Sequence, residues 1–519
     1  LLTRAGAKVG MFMTMGHGDT LEVMRVFGRV AGLSSRESQH YALTDKPTPV
    51  VPRRLVKEIT ERIDCRGDII VPINKQAVTK GIRELIDDGI ELLAVSFLWS
   101  FLNPVHEQRV RDISNEQYPD LNVVLSSDVA PKLGEYERSV TTAIDAYVTP
   151  ALARYLDRLN EELGINNVAT PLLVMHSSGG VGTQEYTRNH AVATLFSGPA
   201  GGVVGARHVG DRLGHSNIIC TDMGGTTFDV GLVCDSQALL RASTTIDQHV
   251  LFLPSIDIVS VGAGGGSVVE VQDGQIKIGP ESAGADPGPA CYGRGGTRPT
   301  LTDINVLLGY IDPNRFLGGE MALDFDRAKA VISENLADPL GMDLEGVASS
   351  VFSIANARMS DLIRKVTVER GLDPRDFVVY AYGGLGPLHA PFYGSELGVK
   401  AIVVPLGQIS SVFSAYGIAV SDLLHVYEQS KLLNAPFDIK AINATFANLE
   451  KSANEQLDRD RIPSKNREFH RYVDMRYEGQ FSEIVVPVQQ DVWSLSESSY
   501  FSTEFERHYE LAYGPGSLW

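Results

Sequence analysis

The chain has 519 residues, 43% hydrophobic and 21% charged, a balance that can bury large cores and that suggests about three domains. Its 46 basic and 64 acidic residues leave a net charge of −18, which argues against nucleic acid or an anionic membrane surface as the main partner. No run approaches the ~18 apolar residues of a membrane helix, and the start LLTRAGAKVGMFMTMG lacks a signal-peptide layout, so a soluble cytoplasmic protein is expected.

Residues 1 to about 125 alternate short apolar runs with helical patterns, which indicates an α/β layer. Residues 8–14 read as a strand, 20–29 as a helix, 74–88 as a helix, 92–97 as a buried strand and 106–117 as a helix. The proline-rich stretch 44–54 reads as a surface loop. Val140, Ile144, Tyr147, Leu152 and Leu156 keep helical spacing across residues 136–163, which predicts a long bent helix, broken near Pro150, linking two lobes. A second α/β stretch opens with a strand at 172–175 and a helix started by Ser197-Gly198-Pro199, with Ser197 as N-cap and glycines that permit close packing.

The segment TDMGGTTFDV, residues 221–230, carries the most chemistry. Apolar runs on both sides make it the turn of a β-hairpin. Gly224 and Gly225 lack a Cβ, so the backbone can adopt positive φ and bring N–H groups up to an anion, while Thr226 and Thr227 add hydroxyls. Asp222 and Asp229 repel bare phosphate and make sense beside Mg²⁺ or a water to be oriented. An ordinary diglycine hairpin is the alternative; it leaves the two flanking carboxylates unexplained.

Downstream, GAGGGS (residues 262–267) is too glycine-rich for a plain strand end and is expected to line a cleft through Gly264 and Gly265. Helices at 325–336 and 344–370 lead to a strand at 377–381. There YGGLGPLHA turns from sheet to helix, and Gly383, Gly384 and Gly386 allow close approach of a nucleotide to backbone N–H groups. After about residue 424 the motifs stop, and strand-like segments such as 484–488 suggest a separate C-terminal domain. Cys65, Cys220, Cys234 and Cys291 show no Cys-x-x-Cys spacing; Cys220 and Cys234 lie symmetrically about the turn and read as small buried hydrophobes, with reduced thiols that face each other as the alternative. His17, His106 and His176 have no partners at metal-ligand spacing and read as structural, while His389, which closes the YGGLGPLHA motif, is left between a helix-turn cap and a catalytic histidine.

The hairpin resembles the second phosphate motif of the actin, sugar kinase and heat-shock-chaperone class, in which two ribonuclease-H-like lobes clamp ATP. Together with FSGPAGGVVGA (196–206), SIDIVSVGAGGGSV (255–268), GPESAGADPGPACYGRGGTRPTLTDINVLLGY (279–310) and YGGLGPLHA (382–390), it is similar to the hydantoinase A, 5-oxoprolinase and ketone carboxylase superfamily. The resemblance runs from residue 1 to about 425. It implies two actin-like α/β lobes plus a C-terminal mixed α/β domain, divided as an N-terminal domain 1–135, an ATP-binding core 136–425 and a C-terminal domain 426–519. The family's first Asp-x-Gly-Gly-Thr hairpin does not precede Thr221, so the first of these is expected either to be incomplete or to belong to a subunit without those strands, and the last is expected to be truncated because the family continues beyond GPGSLW.

The resemblance further implies ATP and Mg²⁺ as cofactors. Asp222 and Asp229 would be catalytic, Asp222 would hold Mg²⁺ directly or through water, and Gly224, Gly225, Thr226, Thr227, Gly264, Gly265, Gly383, Gly384 and Gly386 would bind nucleotide. A hydantoinase B-like subunit is the implied partner and the place for any zinc. The implied activity is phosphorylation of a substrate oxygen. Phe228 resembles the ketone carboxylase pattern, so an enolate awaiting carboxylation is the first reading. An ATP-dependent cyclic amide hydrolase is the alternative, and a catalytically silent scaffold subunit is the third.

Overall fold

The computed structural model describes residues 4–33, 35–40, 42, 44–168, 170–480, 483–488, 493–494, 497–514 and 516–519. Its N-terminal layer is a parallel sheet of four strands, β1 (Val9–Thr14), β2 (Val56–Ile59), β3 (Leu92–Ser96) and β4 (Asn122–Leu125), in the order β2-β1-β3-β4. β1 and β3 are buried along their whole length, which is why both read as unbroken apolar runs. Helices α1 (Lys75–Asp87) and α2 (Val105–Gln117) pack on this sheet, and Asn74 caps the first by accepting from the N–H groups of Gln76 and Ala77.

Two expectations fail in this region. The helix foreseen at 20–29 is split into one α-turn, Thr20–Val23, and one 3-10 turn, Phe27–Arg29, between which Met24, Arg25 and Val26 take φ of 53°, 50° and 60°. Leu21 and Met24 are both buried, so the reversal satisfies the apolar pattern as a helix would have done. The break foreseen at Pro150 is also absent: α3 (Glu135–Ile165) runs for 31 residues with that proline inside it. Residues 136–147 lie buried in the N-terminal core, and this packing holds the helix across the lost hydrogen bond.

Beyond the carboxyl ends of the strands lies a buried polar layer. Thr14 Oγ1 donates to Glu61, whose other oxygen is 2.7 Å from His106 Nδ1. Glu107 accepts from the Phe97 N–H at 2.9 Å and the Ser126 hydroxyl at 2.6 Å, and Arg138 donates to the Phe97 carbonyl at 2.7 Å. His106 is thus buried in this layer against Glu61 and away from the hairpin.

Asp145 of α3 is buried and accepts the Val192 N–H at 2.8 Å, and burial pushes its carboxyl up to about 7. Because the folded value exceeds the ~3.9 of an unfolded aspartate, the folded chain binds more protons between those two values, and stability falls as pH rises through that window. Asp145→Asn keeps the acceptor and removes the charge. Thermal unfolding at pH 5 and pH 8 is expected to show a smaller drop in midpoint for this variant than for the native chain.

The second layer is a mixed sheet. Strands β5 (Ile218–Met223), β6 (Phe228–Cys234) and β7 (Ile258–Val261) are antiparallel in the order β7-β6-β5; β8 (Val378–Tyr382) and β9 (Ala401–Val403) extend it parallel to β5. One face, with Ile218, Cys220, Val233 and Tyr380, packs on helices α4 (Ser197–Leu213) and α7 (Phe413–Ala419). The other, with Ile219, Phe228, Val230 and Leu232, packs on α5 (Leu344–Val368) and α6 (Gly386–Leu397).

This alternation excludes the alternative reading of the two cysteines. Cys220 stands opposite Gly231 and faces α4, while Cys234 packs against the opposite core, so the two thiols do not face each other. α4 also starts one residue earlier than expected. Phe196, at φ 62°, is its N-cap, and Ser197 already lies inside the helix without capping it. Its glycines do permit close packing: a Cβ at Gly417 of α7 would overlap the Gly201 carbonyl.

Residues beyond 430 form helix Ile439–Arg459, hairpin Arg471–Met475 with Ile484–Val488, and helix Ser499–Tyr513, around clusters that include Phe446, Trp493 and Phe501 and, separately, Phe505 and Tyr509. Lys132, which also meets Glu428 at 2.5 Å, ties this part to the rest through Asp474 at 3.1 Å, as His425 does through Asp460 at 2.6 Å. Among the described residues no helix is long and apolar enough to cross a membrane.

Candidate functional site

The β5–β6 register pairs Met223 with Phe228 and Asp222 with Asp229. β7 places Ser260 opposite Asp229, and β8 places Tyr382 opposite Asp222. Ser260, Asp229, Asp222 and Tyr382 thus form one row across four strands, while Met223 and Phe228 point into the opposite core.

Both carboxylates are half-buried. Burial, together with the neighbouring Asp229, raises Asp222 to about 6, against the hydroxyl of Ser414, which donates to Asp222 Oδ2 at 3.1 Å. Asp229 is raised by burial and held back by the hydroxyls of Ser260 and Thr227, the latter at 3.2 Å. Asp229 Oδ1 is buried with no partner among the described residues. Two like charges side by side, one with an orphaned oxygen, suit a cation such as Mg²⁺.

At the turn, the Gly224 N–H donates to the Thr227 carbonyl at 3.2 Å, and among the described residues no protein acceptor takes the N–H of Gly225, Thr226 or Thr227. Gly225 and Thr226 are exposed. Neither Gly224 nor Gly225 takes positive φ, contrary to expectation. What these glycines supply is clearance, since a Cβ at either would meet nothing within 4 Å. The result is an open cradle of N–H groups that fits a phosphate.

Gly264, Gly265 and Gly266 donate their N–H groups to the carbonyls of Thr226, Gly224 and Gly225 at 3.2, 3.0 and 2.6 Å. The loop is therefore laced to the turn. A Cβ at Gly264 would stand 2.5 Å from the Thr226 backbone, which explains the glycine. Thr302 in turn donates from N–H and hydroxyl to the Gly265 carbonyl at 2.8 and 2.9 Å, and a Thr300–Asp303 capping box fixes the helix that carries it.

The YGGLGPLHA segment abuts the same hairpin. Gly383 sits at φ 80° with its N–H on the Ser410 carbonyl at 2.9 Å, and the Leu385 N–H donates to the Met223 carbonyl at 3.0 Å. A Cβ at Gly383 would overlap Asp222 Oδ1, whereas one at Gly384 would meet nothing within 4 Å. α6 begins at Gly386, so the two motifs expected to share a ligand touch each other.

The histidines lie elsewhere or face inward. His389 is buried between Asn356 at 3.2 Å and Asn305 at 3.3 Å, stacks on Phe352, and is held neutral by burial, at about 4. His176 meets Thr187 at 2.9 Å and is lowered likewise to about 4. Among the described residues no group of three or more His, Cys, Asp or Glu could hold a metal.

Sequence reasoning missed Ser260, Thr302 and Ser414. A lone serine or threonine in a helix or strand carries no pattern; the strand register brings Ser260, the α4–α7 contact brings Ser414 and the bonds to the Gly265 carbonyl bring Thr302 to the site. Ser414→Ala is expected to lower turnover about tenfold by releasing Asp222, with Ser414→Thr close to native, as steady-state kinetics of both variants will check.

The chain belongs to the hydantoinase/oxoprolinase family: residues 138–427 match the hydantoinase/oxoprolinase domain and residues 1–118 its N-terminal region. It is 34% identical to the acetophenone carboxylase gamma subunit of Aromatoleum aromaticum, over 92% of this chain and 67% of that one. Among solved structures it is similar to the ATP-dependent caprolactamase of Pseudomonas jessenii, at 31% identity and a TM-score of 0.85 over 100% of this chain and 74% of that one. It is also similar to acetone carboxylase in its nucleotide-free structure, at 28% identity and a TM-score of 0.78, over 100% and 75% of the two chains.

Proposed function

We propose that this chain is the ATP-binding part of a multisubunit enzyme that activates a carbonyl oxygen of a small substrate by phosphorylation. The observation that carries the reading is the open N–H cradle at residues 225–227 beside the paired Asp222 and Asp229. The β7-β6-β5-β8-β9 order supports a ribonuclease-H-like lobe, and thus an actin-like arrangement, for the core 136–425, with 1–135 and 426–519 as the flanking domains.

In this reading the N–H groups of the turn and the hydroxyls of Thr226 and Thr227 orient the phosphates, with Gly383, Gly384 and Gly386 alongside. Gly264 and Gly265 keep the turn in shape. Mg²⁺, held by Asp222 directly or through water, supplies charge neutralisation at the transferring phosphoryl group. Asp229 Oδ1 is free to orient a water or the attacking oxygen, and Ser260 and Ser414 fix the two carboxylates in place.

A ketone is the first acceptor class, supported by likeness to the acetophenone carboxylase subunit. Phe228 cannot select it by contact, since its ring is buried against Tyr393 on the other face of the sheet. A cyclic amide is the second class, supported by the TM-score of 0.85 to caprolactamase. ATP turnover by the purified complex against ketones and cyclic amides, with and without bicarbonate, separates the two. Turnover by neither class supports a silent scaffold.

The phosphorylated intermediate needs a second site, placed here in a hydantoinase B-like partner with any zinc the reaction requires. A relative named as a gamma subunit supports such an assembly. Mass determination of the native protein is expected to show a hetero-oligomer; a lone chain that completes the reaction contradicts it.

A further inference from the structure

The longest motif of the sequence, residues 279–310, supplies the hairpin site with Thr302 and the capping box behind it. Residues 283–296 of the same motif form a loop of two arms on a buried base. Asp303 fixes the base by accepting the N–H groups of Ala290 and Cys291 at 3.2 and 2.7 Å. The Gly288 N–H donates to the Ala283 carbonyl at 3.3 Å, and a Cβ at Gly296 would stand 2.5 Å from the Gly288 carbonyl, so the arms close on each other. Residues 284–287 on one arm and 293–295 on the other are exposed.

The first arm is bonded to the phosphate turn. The Ala283 N–H donates to the Gly266 carbonyl at 2.8 Å, and the Gly266 N–H donates to the Gly225 carbonyl at 2.6 Å. A Cβ at Gly266 would lie 2.9 Å from Ser282 Oγ and 3.6 Å from the Gly284 carbonyl. One residue further, ~3.8 Å along the chain, the Ala285 carbonyl accepts Nη1 of Arg294 from the second arm at 3.4 Å. Two bonded steps therefore separate the N–H cradle from the loop that carries Arg294.

Asp222, Asp229 and a triphosphate gather more negative charge than one Mg²⁺ balances. The segments around the turn, residues 217–310 and 383–430, hold five Lys or Arg, and four of them have carboxylate partners. Arg241 meets Asp257 at 3.7 Å, Lys277 meets Glu270 at 3.6 Å, Arg298 meets Glu281 at 2.6 Å and Lys400 meets Asp376 at 3.9 Å. Arg294 has no carboxylate within ion-pair distance among the described residues; its guanidinium has the Ala285 carbonyl and, 6.0 Å away, the ring of Tyr292. The bond to Ala285 is long and exposed, hence weak, and Asp303 holds the loop without it. Gly293 and Gly295, on either side of Arg294, take φ of 70° and 100°, and a Cβ at either would meet nothing within 4 Å. Backbone conformation, not space, calls for glycine there, and that conformation presents Arg294 at the tip of its arm.

We infer that Arg294 contacts the terminal phosphate of the nucleotide held at the hairpin. The inference rests on the phosphorylation reading and adds to it the cation that the hairpin itself lacks. Arg294 leaves the Ala285 carbonyl and donates its N–H groups to oxygens of the γ-phosphoryl group. As the deprotonated acceptor oxygen bonds to the γ-phosphorus, the bond to the β–γ bridging oxygen breaks and ADP leaves with that electron pair. Arg294 transfers no proton; it offsets the charge on the moving group.

The test compares the native assembled enzyme with Arg294→Ala and Arg294→Lys by calorimetric titration with Mg·ADP and with the Mg complex of the non-hydrolysable β,γ-imido analogue of ATP. In Arg294→Ala the analogue is expected to bind about tenfold or more weakly, while ADP affinity stays within about twofold of native. ATP turnover should fall ~10²-fold or more. Arg294→Lys keeps the charge and loses the planar fork, so it should lie between the other two in both measurements. Arg294 is exposed and the Asp303 bonds remain, so both variants should unfold at the native midpoint. Native analogue affinity and turnover in Arg294→Ala, an equal loss of ADP and analogue, or losses that accompany a lowered midpoint each overturn the inference and leave the hairpin reading standing. A native enzyme that binds neither nucleotide contradicts the hairpin reading, and the inference falls with it.

Discussion

Asp222→Asn and Asp229→Asn are each expected to lower ATP turnover by ~10²-fold or more in the assembled enzyme, because each removes a charge placed to act on the phosphoryl group or its metal. The same substitutions should not unfold the chain. Asp222 has a folded value of about 6, above the ~3.9 of the unfolded state. Protons are thus bound more tightly by the folded chain across that interval, stability declines as pH rises through it, and at pH 8 the full cost of the buried charge is present. Asn keeps an oxygen for the Ser414 hydroxyl and carries no charge. The ligand-free Asp222→Asn chain should therefore melt at the native temperature or above at pH 8, while its turnover is lost. Unchanged turnover in both variants supports the silent scaffold instead.

Gly383→Ala should damage both stability and nucleotide binding. The residue sits at φ 80°, and an added Cβ would overlap Asp222 Oδ1 and stand 2.6 Å from the Met223 carbonyl. Left-handed strain and overpacking together cost ~2–4 kcal/mol, and the displaced carboxylate disrupts the site. Gly384→Ala is the matched control. Its Cβ meets no protein atom within 4 Å, so stability should hold while ATP affinity falls, the methyl group occupying ligand space. Denaturant unfolding and ATP titration of the two variants separate the effects. Similar behaviour of both shows that Gly384 does not face the ligand.

The elements with strong periodicity were legible in the sequence. The buried strands Val9–Thr14 and Leu92–Ser96, the helix Lys75–Asp87 behind its Asn74 cap and the hairpin around Gly224 appear where the pattern places them. Features decided by tertiary packing were not. The reversal at Met24–Val26 hides inside an apolar pattern that a helix also satisfies, and Pro150 survives in α3 because the preceding turns are buried. At the site, the two aspartates could be read from their symmetry about the diglycine. Their partners could not, since Ser260 and Ser414 join them through a strand register and a glycine-lined helix crossing. Gly264 and Gly265 drew notice for their density, yet the register of the loop assigns their N–H groups to the turn. Composition alone does not reveal which way such groups point.

Hydrogen exchange of the native protein with and without Mg·ATP tests the central claim most directly, because the amides of Gly225, Thr226 and Thr227 have no acceptor among the described residues. Exchange at these three positions should slow markedly on addition of Mg·ATP, together with the adjoining amides of residues 384–388, and the slowing should vanish in Asp222→Asn. Nucleotide binding that leaves exchange at residues 225–227 unchanged contradicts the assignment of the hairpin as the phosphate site.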